Sequence, residues 1–239
     1  DGPIISPTNS SAAATLIKLA QRADIPVIIA DIGADSADYV SYISADNFTG
    51  AYRIGQVLTR EMKARGWQQG RVGIIAIPQK RQNGRERTDG FMLALKEAGI
   101  DSAAMRQQVT FSHAETYDFS RELINSVPNL RAIWLQGSDR YQAALDAIAD
   151  SGRKGRILLV TFDAEPEFLQ LIPSGVLVGA AMQQPFLMGE QAVISMHRHL
   201  QGESVEPQQK LPVLAISADN LDENRAIIRR NVLGLEEMP

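Results

Sequence analysis

Short runs of apolar, often β-branched residues recur along the chain, separated by longer stretches with helical spacing. The runs fall at 4–5, 27–30, 39–43, 72–77, 107–111, 132–135, 157–162 and 176–182. Several are apolar at almost every position. That is the pattern of strands covered on both faces, not of strands with one wet face.

Helices are expected between these runs. Ala13, Leu16, Ile17, Ala20 and Ala23 form one apolar stripe, with Asn9 or Ser10 as its cap. Ala51, Ile54, Leu58 and Met62 form a second, closed by Gly66. Phe91, Leu95 and Ala98 form a third, closed by Gly99. Later helices are expected to start near Glu115, Asp139, Glu165 and Pro185. Repeated βα units call for α/β architecture, a doubly wound parallel sheet with helices on both faces. The stretch 202–209 reads as loop, and periodicity marks no boundary between lobes.

Composition narrows the function. The formal net charge is -4, and no Lys/Arg cluster offers a phosphate backbone a footprint, so no nucleic-acid partner is expected. No apolar run is long enough to span a bilayer. Cysteine is absent, which excludes disulfides, thiolate nucleophiles and Cys-ligated zinc. The opening Asp1-Gly2-Pro3 reads as a processed or cut start.

In open parallel sheets, ligands lie beyond the carboxyl ends of the strands. The residues at those places are Ser6, Asp31, the segment 79–87 with Arg87, Phe111, Gln136-Gly137-Ser138-Asp139, Asp163, and Gln183-Gln184. Carboxylates, a guanidinium, amides, a hydroxyl and an aromatic ring suit a polyhydroxylated ligand. A carboxylate accepts from two neighbouring hydroxyls, a guanidinium donates to two, and an aromatic face covers the C–H side of a sugar ring. Each residue also has a plainer reading. Asp31 and Asp163 can cap the next helix, Arg85 and Glu86 can be a solvated turn, and Phe111 and Trp134 can be core. Their joint placement favours a site.

Signals for catalysis are weak. Asp31 and Asp163 could be a glycosidase acid and base, but paired strand-end carboxylates are not specific. His197 and His199 lie two apart on an expected helix and face different ways, and His113 is isolated. There is no Gly-rich phosphate loop, no G-x-S-x-G and no H-E-x-x-H. No catalytic residue, metal or cofactor is expected.

Taken in order, the motifs resemble the ribose-type (type I) periplasmic sugar-binding proteins. Ile5-Ser6-Pro7-Thr8 is followed by Ile25-Pro26-Val27 leading to Asp31, then Tyr42-Ile43-Ser44-Ala45-Asp46-Asn47 with Gly50. Arg85-Glu86-Arg87-Thr88-Asp89-Gly90-Phe91 is similar to that family's R-x-R-x-x-G-F turn. Thr161-Phe162-Asp163 resembles its G-F-D segment, and Gln183-Gln184-Pro185 with Gly189 its Q-x-P-x-x-x-G step.

The resemblance implies two α/β lobes with ligand held between them and crossings near Ala45-Asp46, Gln183-Gln184 and Pro212-Val213. It assigns 1–45 plus 184–212 to the N-terminal-type lobe, and 46–183 plus 213–239 to the C-terminal-type lobe. Carried over by position, the ligand-binding residues are Ser6, Asp31, Arg87, Phe111, Gly137, Asp163 and Gln183. The implied protein is a periplasmic monomer that captures a sugar-like ligand for a membrane permease or a sensor. The effector domain of a LacI-type regulator, which shares the fold, stays open as an alternative.

Four departures stand out. Ser6 stands where ribose binders carry Asn, Ile32 where they carry Arg, and Gly137 where they carry Asn. A site so changed is expected to prefer something other than ribose: a substituted sugar, a deoxysugar or a cyclic polyol. The family also begins with two further βα units, so the N-terminal-type lobe is expected to be incomplete in this chain.

Overall fold

A computed structural model describes residues 1–8, 10–34 and 38–235. The chain forms two compact units. The first comprises Asp1–Asp46, Gln184–Pro212 and Ile227–Pro239, and the second Asn47–Gln183 and Val213–Ala226.

The first unit is built on β1 (Ile4–Ile5), β2 (Ile28–Ala30), β3 (Ser41–Ala45) and, far along the chain, β9 (Gln208–Leu211), in that spatial order and all parallel. Helix α1 (Ser10–Arg22) sets Ala13 and Ile17 against Val27 and Ile29, with Ile5, Tyr39 and Tyr42 at the margin of that cluster. Helix α7 (Pro185–Leu200) also packs on β2 and β3. Helices against the sheet leave every residue of β2 buried, which is why that run carries no polar position.

The second unit carries β4 (Arg71–Ala76), β5 (Ser102–Gln107), β6 (Leu130–Leu135), β7 (Leu158–Phe162), β8 (Gly179–Met182) and β10 (Leu214–Ser217). Their spatial order is β10-β8-β7-β6-β4-β5, parallel throughout except for β10, an antiparallel edge on β8. Helices α2 (Asn47–Ala64) and α3 (Gln82–Glu97) pack together, as do α4 (His113–Ser126) and α5 (Tyr141–Asp150). The short α6 (Phe168–Leu171) and α8 (Leu221–Ile227) follow β7 and β10, and a π-helical turn, Ile228–Val232, continues α8. Phe91 of α3 stacks on Trp134 of β6 with ring centres 3.9 Å apart, at the heart of this core. Helix α3 ends as its sequence requires: Gly99 adopts φ +68, a conformation without steric cost only for glycine.

The contact of α3 with α2 is close enough to depend on one atom. A Cβ on Gly90 would lie 2.2 Å from the carbonyl oxygen of Phe48. Gly90 follows Arg87 by three residues, so the two share a face of α3.

Several expectations need correction. The run 107–111 is not a strand: β5 ends at Gln107 and Val109 is 76% exposed. The third strand begins at Ser41 rather than 39, and the last parallel strand at Gly179 rather than 176. The loop-like stretch 202–209 runs into β9, whose exposure alternates along Gln208–Leu211. The chain from Ile227 onward groups with the first unit, not with the second as assigned to 213–239. The proposed cap Asn9 lies outside the described residues.

Candidate functional site

In the second unit the carboxyl ends of β4, β6, β7 and β8 deliver Gln79, Gln136, Asp163 and Gln183, and α3 delivers Arg87. Arg87 is only 3% exposed, and its guanidinium is held from several sides. Nε donates to Asn47 Oδ1 (2.8 Å), and Nη1 to the Gln136 carbonyl (2.7 Å) and, at 3.5 Å, to Asp163 Oδ2. Its centre lies 3.8 Å from the middle of the Phe162 ring. A buried cation needs such partners, because desolvation without them costs several kcal/mol, roughly. Among the described residues Nη2 has no hydrogen-bond partner, so one donor edge of a fixed guanidinium remains available.

Asp163 Oδ1 accepts from Gln183 Nε2. The other amide atom, Gln183 Oε1, is buried with no partner. Behind this cluster Gln136, fully buried, links three elements. Its Oε1 accepts from the Ile77 N–H (3.2 Å) and its Nε2 donates to Thr88 Oγ1 (2.7 Å). Gln79 closes the set, 2.8 Å from the same hydroxyl.

Phe111 reaches this end of the unit by a different route. Its residue has φ +54, and the loop before α4 is shaped by Glu115. That carboxylate accepts from the backbone N–H groups of Val109 (2.8 Å), Thr110 (3.1 Å) and Phe111 (2.8 Å), while Ser112 caps the helix by accepting from the Glu115 N–H (3.1 Å). Burial alone would raise the Glu115 carboxyl; the three N–H donors outweigh it and hold the group below the ordinary carboxylate range. Two guanidiniums flank the Phe111 ring, Arg140 at 5.1 Å and Arg81 at 5.7 Å from its centre. Arg140 Nη1 also donates to the Phe111 carbonyl (2.9 Å) and to Asp139. Gly137 leaves an opening beside them: a Cβ there would meet only Asp139 Oδ1 at 3.6 Å and Arg140 Nη2 at 3.8 Å.

In the first unit Asp31 follows β2 with φ +70 and donates its N–H to the Ile43 carbonyl (2.9 Å). Tyr42 Oη donates to the Asp31 carbonyl (2.9 Å). Ser6 follows β1 and is exposed. Among the described residues neither aspartate stands at a helix N-cap: α6, which follows β7, has Glu167 there, and β2 leads to β3. So Arg87, Asp163 and Gln183 meet, Phe111 and Gly137 lie with Arg140, and Ser6 and Asp31 belong to the other unit.

The family model for the periplasmic binding protein domain matches residues 1–204. The chain belongs to the periplasmic binding protein family. The ribose import binding protein RbsB of Haemophilus influenzae is 30% identical over 213 residues, covering 88% of this chain and 69% of that protein. The D-allose-binding periplasmic protein of Escherichia coli K12 is 22% identical over 172 residues, covering 72% of this chain and 54% of that one. Among solved structures, a solute-binding protein from Actinobacillus succinogenes with bound D-allose superposes with a TM-score of 0.84 at 19% identity, covering 93% of this chain and 79% of that chain. One from Agrobacterium radiobacter with D-arabinose has a TM-score of 0.84 at 23% identity, covering 97% and 78%. The fold of two α/β units with parallel sheets is therefore that of the type I periplasmic binding proteins.

Seen as a family member, the chain carries functional roles that its sequence does not announce. Gln136 stands at a strand end among the candidates, but nothing in its neighbours marks it as a hub. Asn47 belongs to the motif around the first crossing, yet it also fixes Arg87. Glu115 reads as a helix start; the spacing Ser112-x-x-Glu115 signals a cap, but not that the carboxylate turns back to the loop. Arg140 follows Asp139 and reads as one half of a surface ion pair.

Proposed function

We propose that this chain is the sugar-capturing component of an extracytoplasmic uptake system, which binds its ligand unchanged and presents it to a membrane permease. The sugars that its relatives are named for and are seen to bind support the ligand class. The observation that carries the reading is the Arg87–Asp163–Gln183 cluster. It presents a charged acceptor, a free guanidinium donor and an unpaired buried amide oxygen side by side. Vicinal hydroxyls, each both donor and acceptor, satisfy all three. Phe111 supplies apolar surface for a ring's C–H side, and Gly137 leaves room for a substituent. Ser6 and Asp31, on the first unit, enter this reading as ligand-binding residues through the family resemblance. The changes at Ser6, Ile32 and Gly137 turn preference away from ribose, because each buried hydroxyl left without a partner costs roughly 1–3 kcal/mol.

The test is calorimetric titration of the chain with ribose, allose, arabinose and galactose, alongside mass spectrometry of ligand released from natively purified protein. The expected result is micromolar or tighter binding of at least one sugar, recovered chemically intact, with ribose not the tightest. Absence of binding across the panel with no ligand released would overturn the sugar reading. Recovery of a cleaved or modified sugar would overturn the absence of chemistry.

A further inference from the structure

We infer that Arg140 is a specificity-determining residue and that the ligand is a polyol carrying an anionic oxygen group, a carboxylate or a phosphate, which Arg140 Nη2 reads through the opening left by Gly137. The inference rests on the sugar-binding reading above and deepens it.

Three observations carry it. First, the Arg140 guanidinium is only partly satisfied. Its Nη1 is taken by the Phe111 carbonyl and Asp139, but Nε is buried without an acceptor, and no described residue accepts from Nη2. Buried donors without partners are rare, and the side chain is only 15% exposed. Second, the opening is beside this group. A Cβ at 137 would stand 3.6 Å from Asp139 Oδ1 and 3.8 Å from Arg140 Nη2; glycine leaves the approach to both open. Third, a second cation lies at the same ring. Arg81 sits 5.7 Å from the Phe111 ring centre and has no ion pair among the described residues.

The neighbouring carboxylates leave this positive character largely in place. Glu115 is occupied by three backbone N–H groups, and Glu165 accepts from Ser138 Oγ at 2.7 Å. Asp139 pairs with Arg140 but is 58% exposed, where water screens an ion pair heavily. An acceptor-only anion fits a guanidinium that can only donate, whereas a neutral hydroxyl gains less from it. The Phe111 ring then serves as the support that holds Arg140 in place, as well as a wall of the site.

The test compares each neutral sugar of the panel with its uronic or aldonic acid and with its terminal phosphate ester, by calorimetry at low and moderate salt. One anionic form is expected to bind at least about tenfold tighter than its parent, with the gap narrowing as salt rises. R140Q should erase the preference while keeping the melting temperature, and R140K should retain part of it. Whichever anionic form is preferred identifies the group. If neutral sugars bind as well as their anionic forms, or R140Q leaves the ratio unchanged, the inference fails and the sugar reading stands. If no member of the panel binds, the sugar reading itself fails.

Discussion

Two aspartates do the same thing to the backbone and then differ in what surrounds them. Asp31 in the first unit and Asp163 in the second each follow an apolar parallel strand, turn to φ +70 and +68, and donate their N–H to the next strand, to Ile43 at 2.9 Å and Ala181 at 2.8 Å. Aspartate tolerates this left-handed conformation better than most residues. At Asp31 the turn is braced by a neutral tyrosine hydroxyl on its carbonyl. At Asp163 the carboxylate is joined to a buried arginine and a glutamine amide. A strand ending in Asp thus sets the turn; at Asp163, residues distant in sequence, Arg87 and Gln183, build its charge into a network.

The comparison can be broken most severely from the Asp163 side. Arg87→Ala removes a guanidinium that four groups hold, leaving Asn47, Gln136 and Asp163 facing an empty site. A loss of about 3–5 kcal/mol in denaturant-measured stability is expected, together with loss of sugar binding. A stability change under about 1 kcal/mol would mean that Arg87 is not the buried keystone of this cluster.

Next come the charges themselves. Asp163→Asn and Asp31→Asn should each weaken sugar binding by roughly 1.5–3 kcal/mol, some ten- to two-hundredfold. Asp163→Asn should also lower stability clearly, since it removes the counter-charge of Arg87. An Asp163→Asn variant as stable as the parent chain would show that the pairing with Arg87 adds nothing to stability.

The backbone prediction is smaller and should be alike at both turns. Asp→Gly and Asp→Ala both remove the carboxylate, but alanine is strained at positive φ. The glycine variant is expected to be more stable than the alanine variant by about 1 kcal/mol at 31 and at 163. A difference at one site only would show that the two turns are not equivalent.

The smallest effect concerns Phe111, another of the non-glycine residues at positive φ, whose turn is held by a carboxylate instead of a neighbouring strand. The Glu115 carboxyl titrates below its unfolded value, so its contribution is fully present above about pH 4.3. It is lost as pH falls through the lower folded value. Glu115→Gln should therefore be less stable than the parent chain at neutral pH, by about 1 kcal/mol or less, with the gap closing on acidification. A gap that stays constant to low pH would show that the carboxylate charge does not hold the loop.

Much of the second unit was legible because its chemistry follows its strands. Runs such as 157–162 and 132–135 are apolar throughout, and the residues after them are Asp163 and Gln136. The misreadings have physical causes. The segment Gln107-Gln108-Val109-Thr110-Phe111 has strand composition, but Gln108 is drawn inward to Thr116 Oγ1 (2.9 Å) and Glu115 captures the next three N–H groups. Strand β9 is a polar edge whose register comes from β3, so Gln208-Gln209-Lys210-Leu211 shows no pattern of its own. The flanking of Phe111 by Arg81 and Arg140 joins two loops nearly sixty residues apart, which no local pattern announces.

Gly90 acts as a gauge for a distance it does not itself span. Because α3 rests on the carbonyl of Phe48 with no room for a methyl group, the depth of Arg87, one turn earlier, is set by the absence of an atom. Variation at this position would be felt as altered ligand affinity though the residue offers a ligand nothing to touch. Under the role proposed for Arg87, a screen of contact residues alone would pass over one of the positions that fixes the site's dimensions.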